Sequence, residues 1–191
     1  VIRPPWETAA VDPDIACLTL EPGLAFGTGT HPTTSVCLKL LTEHLQAVQG
    51  TRVLDVGCGS GILSLAALKL GARAAVGVDI DNQAVMVAQH NAALNDLQHC
   101  VRFAHGSWEI TEGVFDIIVA NIYLGPLLQM IPPLARRLAP HGFLLVSGIL
   151  ETQEEAVVQA LGTAALRLRQ RAAEEGWVTL MAEHAEAEKA G

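Results

Sequence analysis

Basic residues are scarce in this chain: Lys and Arg total 12 against 20 Asp and Glu among 191 residues, a formal charge of −8. That balance argues against a general nucleic-acid binder, which usually displays a basic stripe, and leaves room for a basic partner. Charge of either sign is sparse at 17 %, while half the residues are apolar, so the chain does not have the composition of a disordered segment. A long uninterrupted apolar run is also missing. The mean hydropathy of +0.34 hints at a membrane. Yet the richest stretch, residues 62–80, is broken by Lys69, Arg73 and Asp79, and nothing approaches the ~20 residues needed to span. The four cysteines, Cys17, Cys37, Cys58 and Cys100, form no C-x-x-C pair. Free buried thiols in a reducing, cytoplasmic setting are expected, with no metal. No charged-then-apolar leader opens the chain. It begins at Val1, which is compatible with processing or with a longer parent chain.

The length suits one domain, able to bury roughly 70 % of the surface its unfolded form exposes. Residues 1–30 are rich in Pro and Gly and read as a lead-in, with a short strand at 16–20. From His31 the pattern becomes regular: Pro32 opens a helix in which Val36, Leu40, Leu41 and Leu45 recur at helical spacing. Strands are expected at 52–56, 74–80, 100–104, 115–121 and 142–147. Helices are expected at 60–70, 82–95, 124–138 and 151–161, the third bent or broken by Pro132 and Pro133. Alternation of this kind, with continuous apolar strands, predicts an α/β fold: a mostly parallel, Rossmann-like sheet with helices on both faces. A closing antiparallel hairpin turns at Glu175-Gly176, the domain occupies 31–183, and 184–191 form a tail that frays.

The strongest feature is Asp55-Val56-Gly57-Cys58-Gly59-Ser60-Gly61, at the turn from a first strand into a helix. Glycines there permit a tight turn and let a ligand approach the backbone. Asp79 ends the next strand, where a carboxylate can accept from both hydroxyls of a ribose. The spacing is G-x-G-x-G, not the dinucleotide G-x-G-x-x-G, with Ile62 at the place of its third glycine. Asp55 in front of the loop would repel a pyrophosphate and favour a cation. S-adenosylmethionine carries a sulfonium and an ammonium and no phosphate, so the electrostatics favour it over a nicotinamide cofactor.

The glycine loop, together with Gly77-Val78-Asp79-Ile80-Asp81, resembles class I S-adenosylmethionine-dependent methyltransferases. The segment Glu21-Pro22-Gly23-Leu24-Ala25-Phe26-Gly27-Thr28-Gly29-Thr30-His31-Pro32-Thr33-Thr34 is similar to the ribosomal protein L11 methyltransferases. So are Val119-Ala120-Asn121-Ile122, Gly125-Pro126-Leu127 and Ser147-Gly148-Ile149-Leu150. The resemblance implies a seven-stranded sheet with the last strand reversed, and cofactor contacts from Thr34, Gly57, Asp79 and Asn121. Bacterial members carry a further N-terminal domain that grips L11, and the resemblance implies that this chain starts within the corresponding linker, either as a piece of such a protein or as a relative with the catalytic domain alone.

The expected cofactor set is therefore Phe26, Thr34, Asp55, Gly57, Gly59, Gly61, Asp79, Ser107 and Asn121. Phe26 would cover the adenosyl or sulfonium region. Ser107 would meet the adenine, with Trp108 either packed on its ring or in the core. Asn121 is the catalytic candidate: its amide can hold the hydrogens of an acceptor amine and orient the lone pair. Its bland alternative is a cap on the following helix. His31 is expected to cap its helix, Trp177 to sit in the core, and Tyr123 to line the acceptor pocket or the surface. The substrate expected is L11 or another basic protein. A single-domain enzyme for another lysine or a small amine, a nicotinamide-dependent oxidoreductase and a non-catalytic adenosyl-binding module are the alternatives.

Overall fold

The computed structural model describes residues 1–12, 15–21, 29, 31–45 and 50–185. Seven strands form one sheet: β3 (Arg52–Val56), β4 (Ala74–Asp79), β5 (Val101–His105), β6 (Phe115–Asn121), β7 (Leu138–Leu150), β8 (Leu166–Glu174) and β9 (Trp177–His184). Their spatial order is β5-β4-β3-β6-β7-β9-β8. β9 runs antiparallel to β7 and β8 on either side, while the strands from β5 to β7 pair in parallel. The sheet with its last strand reversed is the one expected from sequence. A separate parallel pair, β1 (Ile2–Arg3) and β2 (Leu18–Thr19), lies in the lead-in, shorter than the strand expected there.

Side-chain alternation sorts the core into two layers. Val53, Ile117, Val119 and Leu145 pack beneath α1 (Pro32–Leu45), α2 (Ile62–Lys69) and α3 (Asn82–Leu94). Their neighbours Leu54, Val56, Ile118, Ala120 and Val146 point the other way, against α4 (Leu124–Ala135) and α5 (Glu154–Thr163). Every residue of α2 from Ile62 to Leu68 is buried, which its apolar composition on all sides requires. Gly71, at φ +107°, then stops it. Asp81 caps α3 by accepting from the Gln83 N–H at 2.8 Å.

Four expectations need correction. α4 runs unbroken through Pro132 and Pro133, because Leu127, Ile131 and Leu134 hold its inner face on the sheet. β7 has 13 residues where a strand was expected only at 142–147, and its residues 139–142 form a bulge opposite Asp116. Of the thiols, Cys37 and Cys58 are buried, but Cys17 is half-buried and Cys100 exposed. The tail expected at 184–191 does not fray at its start: β9 includes His184, whose Nε2–H donates to the Leu138 carbonyl at 3.1 Å, and the Ala185 N–H donates to the Ala165 carbonyl at 3.0 Å, while 186–191 lie outside the described residues. Among the described residues no helix is long and apolar enough to cross a membrane, and no metal-binding cluster forms.

Candidate functional site

Strand order reverses between β3 and β6, and a crevice outside the carboxyl ends of the strands is where such a sheet binds ligands. A cleft of about 540 Å³ lies there. Its floor is the glycine loop. The Gly57 and Cys58 amides donate to the Val78 carbonyl at 2.8 and 3.0 Å, which ties the loop to the end of β4. The Gly59 N–H donates to Asp79 Oδ2 at 2.9 Å, and the Asp81 N–H to Asp79 Oδ1 at 2.9 Å. Each carboxylate oxygen thus has one backbone donor and keeps accepting capacity for more. Gly57 sits at φ +73°, and a Cβ on it would lie 2.4 Å from the Ile122 side chain.

Of the residues expected from sequence, Thr34, Gly57, Gly59, Asp79, Ser107 and Asn121 line this cleft together. Asn121 Nδ2 donates to Thr34 Oγ1 at 3.4 Å, joining the end of β6 to the first turn of α1. α4 begins after Tyr123 with no side-chain cap, so Asn121 is not its cap. Ser107 Oγ is buried without a hydrogen-bond partner. Phe26 lies outside the described residues. Asp55 and Gly61 do not line the cleft. Gly61, at φ +80°, makes room for Phe103, whose ring would be 2.7 Å from a Cβ there. Asp55 is buried beneath α2, where its Oδ2 accepts from the Ser64 hydroxyl at 2.7 Å and the Ser64 N–H at 3.1 Å.

Of the two places open to Trp108 the structure takes the core, whereas Trp177, expected in the core, stands in the cleft. Trp108 packs against the α4–α5 layer, with the Arg137 guanidinium 5.5 Å from its ring centre, and not in the cleft. Trp177 lines the cleft, its ring edge-on to His31 at 5.1 Å. The signal for Trp177 is topological: an antiparallel strand starts where its parallel neighbours finish, so the first residue of β9 comes to the ligand end. His31 also lines the cleft and caps α1, its Nδ1 meeting Thr33 Oγ1 at 2.8 Å and the Thr33 N–H at 3.3 Å. Gly148 was not singled out for the site. At φ +83° its Cα presses so closely on the turn after β6 that a Cβ would lie 2.6 Å from the Ile122 carbonyl oxygen. Ile80 and Tyr123, 78 % and 81 % exposed, stand at the rim.

Burial governs the titratable groups under the floor. It raises the Asp55 carboxyl to about 6 against the opposing Ser64 hydrogen bonds, with the Asp79 charge adding to the rise. Burial lifts the Cys37 thiol to about 12 and pushes the Cys58 thiol well above its ordinary value. Both remain protonated near neutrality and are poor nucleophiles. Among the described residues no Lys or Arg lines the cleft; its one carboxylate is Asp79.

A doubly wound seven-stranded sheet with a reversed last strand, and a cleft over the first glycine turn, defines the Rossmann-like methyltransferase class of fold. Within it the chain belongs to the ribosomal protein L11 methyltransferase (PrmA) family, whose model matches residues 1–185. A ribosomal protein L11 methyltransferase of Ralstonia pickettii is 46 % identical over 179 residues, covering 94 % of this chain and 58 % of that protein. The crystal structure of a ribosomal protein L11 methylase from Lactobacillus delbrueckii subsp. bulgaricus superposes with a TM-score of 0.87 at 36 % identity, covering 96 % of this chain and 93 % of that one. A 16S rRNA N2 G1207 methyltransferase of T. thermophilus, solved with AdoMet and guanosine, is similar at 28 % identity and TM-score 0.67, covering 84 % of this chain and 45 % of that one. The chain spans about 60 % of the length of the curated relatives it matches.

Proposed function

We propose that the chain carries the methyl-transfer site of an S-adenosylmethionine-dependent protein N-methyltransferase, acting in the cytoplasm on amino groups of ribosomal protein L11. The observation that carries this reading is the cleft's charge: a glycine-loop amide is already committed to Asp79, and among the described residues neither Lys nor Arg lines the cleft to hold a pyrophosphate. A sulfonium and ammonium ligand suits that surface, and a dinucleotide does not. Residues 31–183 form the unit that does the chemistry, and 1–30 lead into it.

The residues present fit this donor. Asp79 has accepting capacity for two vicinal ribose hydroxyls. The Ser107 hydroxyl, buried and unpartnered, is available to an adenine edge. Gly57 and Gly59 let the ligand lie against the backbone. When bound, S-adenosylmethionine supplies an electrophilic methyl group on a sulfur that is already a good leaving group. The protein's own work is alignment and a neutral acceptor. Presenting an α-amine as a free base at pH 7.4 costs under about 1 kcal/mol, whereas a lysine at 10.4 costs roughly 4 kcal/mol, within reach of desolvation in an apolar cleft. Because Asn121 directs Nδ2 to Thr34, its Oδ1 is left to accept from the amine and turn the lone pair toward the methyl group.

The test is transfer of labelled methyl from S-adenosylmethionine to purified L11 and to a ribosome-free extract. L11 should be labelled, and Asn121→Ala should lower kcat by about 10²-fold, the usual loss for a removed acid–base or orienting group. Label on other bands with L11 left blank would refute the substrate, and full activity in Asn121→Ala would refute the assigned role.

A further inference from the structure

Asn91 lies inside α3 and Asn95 is its C-cap; both are buried, Asn91 in a helix interior for which Asn is a poor residue. Both face the lead-in. Asn95 treats Thr19 as a neighbouring strand would: its Oδ1 accepts from the Thr19 N–H at 2.8 Å and its Nδ2 donates to the Thr19 carbonyl at 2.6 Å. Asn91 continues the contact two residues on, its Oδ1 accepting from the Glu21 N–H at 3.0 Å. Unlike Asn95, it also reaches the glycine loop, with Nδ2 donating to the Ser60 carbonyl at 2.9 Å. An N–H on one side and a carbonyl on the other fix which end of the amide is oxygen.

Ser60, in the turn before α2, and Ser64, in its first turn, are four residues apart, and each is met by a side chain. Asp55 accepts from the Ser64 N–H, and Asn91 donates to the Ser60 carbonyl. The loop whose Gly59 amide holds Asp79 is therefore braced from below by one residue and from the side by another. Resting on the donor-binding reading above, we infer that Asn91 is a positioning residue for the donor site. It sets the Ser60 peptide, and with it the Gly59 amide and the Asp79 carboxylate, while anchoring the chain at Glu21 against the same loop. A displacement of a fraction of an ångström there misaligns the groups meant to grip the donor.

Asn95, the C-cap of α3, is the natural control: it is buried and bonded to the same lead-in, its Nδ2 also donates to the Asn91 backbone carbonyl at 2.7 Å, and it makes no hydrogen bond to the glycine loop. Asn91→Asp keeps an acceptor for Glu21 and sets an oxygen against the Ser60 carbonyl; Asn91→Ser is the milder variant should the buried acid prevent folding. Calorimetry with S-adenosylmethionine, on variants shown by circular dichroism to be folded, should give a Kd at least tenfold weaker for Asn91→Asp or Asn91→Ser. Asn95→Ala should lower Tm and leave Kd within twofold. Amide exchange at residues 57–61 without donor should quicken in the Asn91 variants and stay unchanged in Asn95→Ala. Folded Asn91 variants with wild-type Kd and exchange would overturn the inference, as would equal weakening in Asn95→Ala. A wild type that binds no donor would overturn the functional reading instead, and the exchange result would still decide whether Asn91 braces the loop.

Discussion

Asp55 sits two residues before the first glycine, where sequence alone aims its charge at a ligand. Alternation along β3 decides otherwise: Asp55 shares the face of Val53, the one covered by α1 and α2, and so meets Ser64. Burial there makes its protonation a stability term. The native carboxyl titrates near 6 and the unfolded one near 3.8, so between these values the native state holds a proton that the unfolded chain has lost. Unfolding then releases a proton, and raising the pH through this window costs about 3 kcal/mol, leaving the stabilisation full below about pH 4 and gone above about pH 6. Urea denaturation of wild type and Asp55→Asn at pH 4, 5, 6 and 7 should show the difference between them changing by that amount in the variant's favour. Parallel curves would contradict it. At Gly148 a methyl group faces both a positive φ and the Ile122 carbonyl, so Gly148→Ala should lose roughly 2–3 kcal/mol by the same assay. It should also lower turnover, since the displaced peptide follows Asn121.

At the level of elements, legibility followed periodicity. α1, α3, β3 and β6 were readable to within a residue because their apolar spacing is regular and their ends carry Pro32, Asp81 or Gly57. β7 was not: only 142–147 was expected, because Pro140 and Gly142 interrupt the apolar run, and pairing with β6 through a bulge carries the strand back to Leu138. The cleft residues on strand ends were readable because motifs place them there. Trp108, Trp177 and Asn91 were not, because which face a turn presents depends on tertiary packing. The outer edge strand β8 illustrates a different control. Its exposed Arg167 and Arg169 meet Glu183 and its Arg171 meets Glu154, which holds that carboxyl below its ordinary value. Such charges blunt an open sheet edge against pairing with another chain. Replacing all three arginines by Val should therefore produce concentration-dependent self-association in light scattering. A variant that stays as dispersed as wild type would show that the edge needs no such protection.

At the scale of the molecule, the cleft is walled by strand ends, the glycine loop and residues of α1, α2 and α4 from both core layers, so a donor held there should stabilise the whole sheet. For a ligand that binds only the folded state, a concentration 100 times Kd contributes about 2.7 kcal/mol. In a domain of this size each kcal/mol moves Tm by roughly 2–4 °C, so saturating S-adenosylmethionine should raise Tm by roughly 5–10 °C. Asp79→Ala removes the acceptor that both Gly59 and the proposed ribose hydroxyls use, and its Tm should stay flat across the same titration. The scarcity of basic residues adds a control at this scale. With no Lys or Arg lining the cleft among the described residues, NADH at equal concentration should leave Tm unchanged. A rise with NADH matching the rise with S-adenosylmethionine would mean that the cleft recognises the adenosine they share, and that its charge does not choose between them.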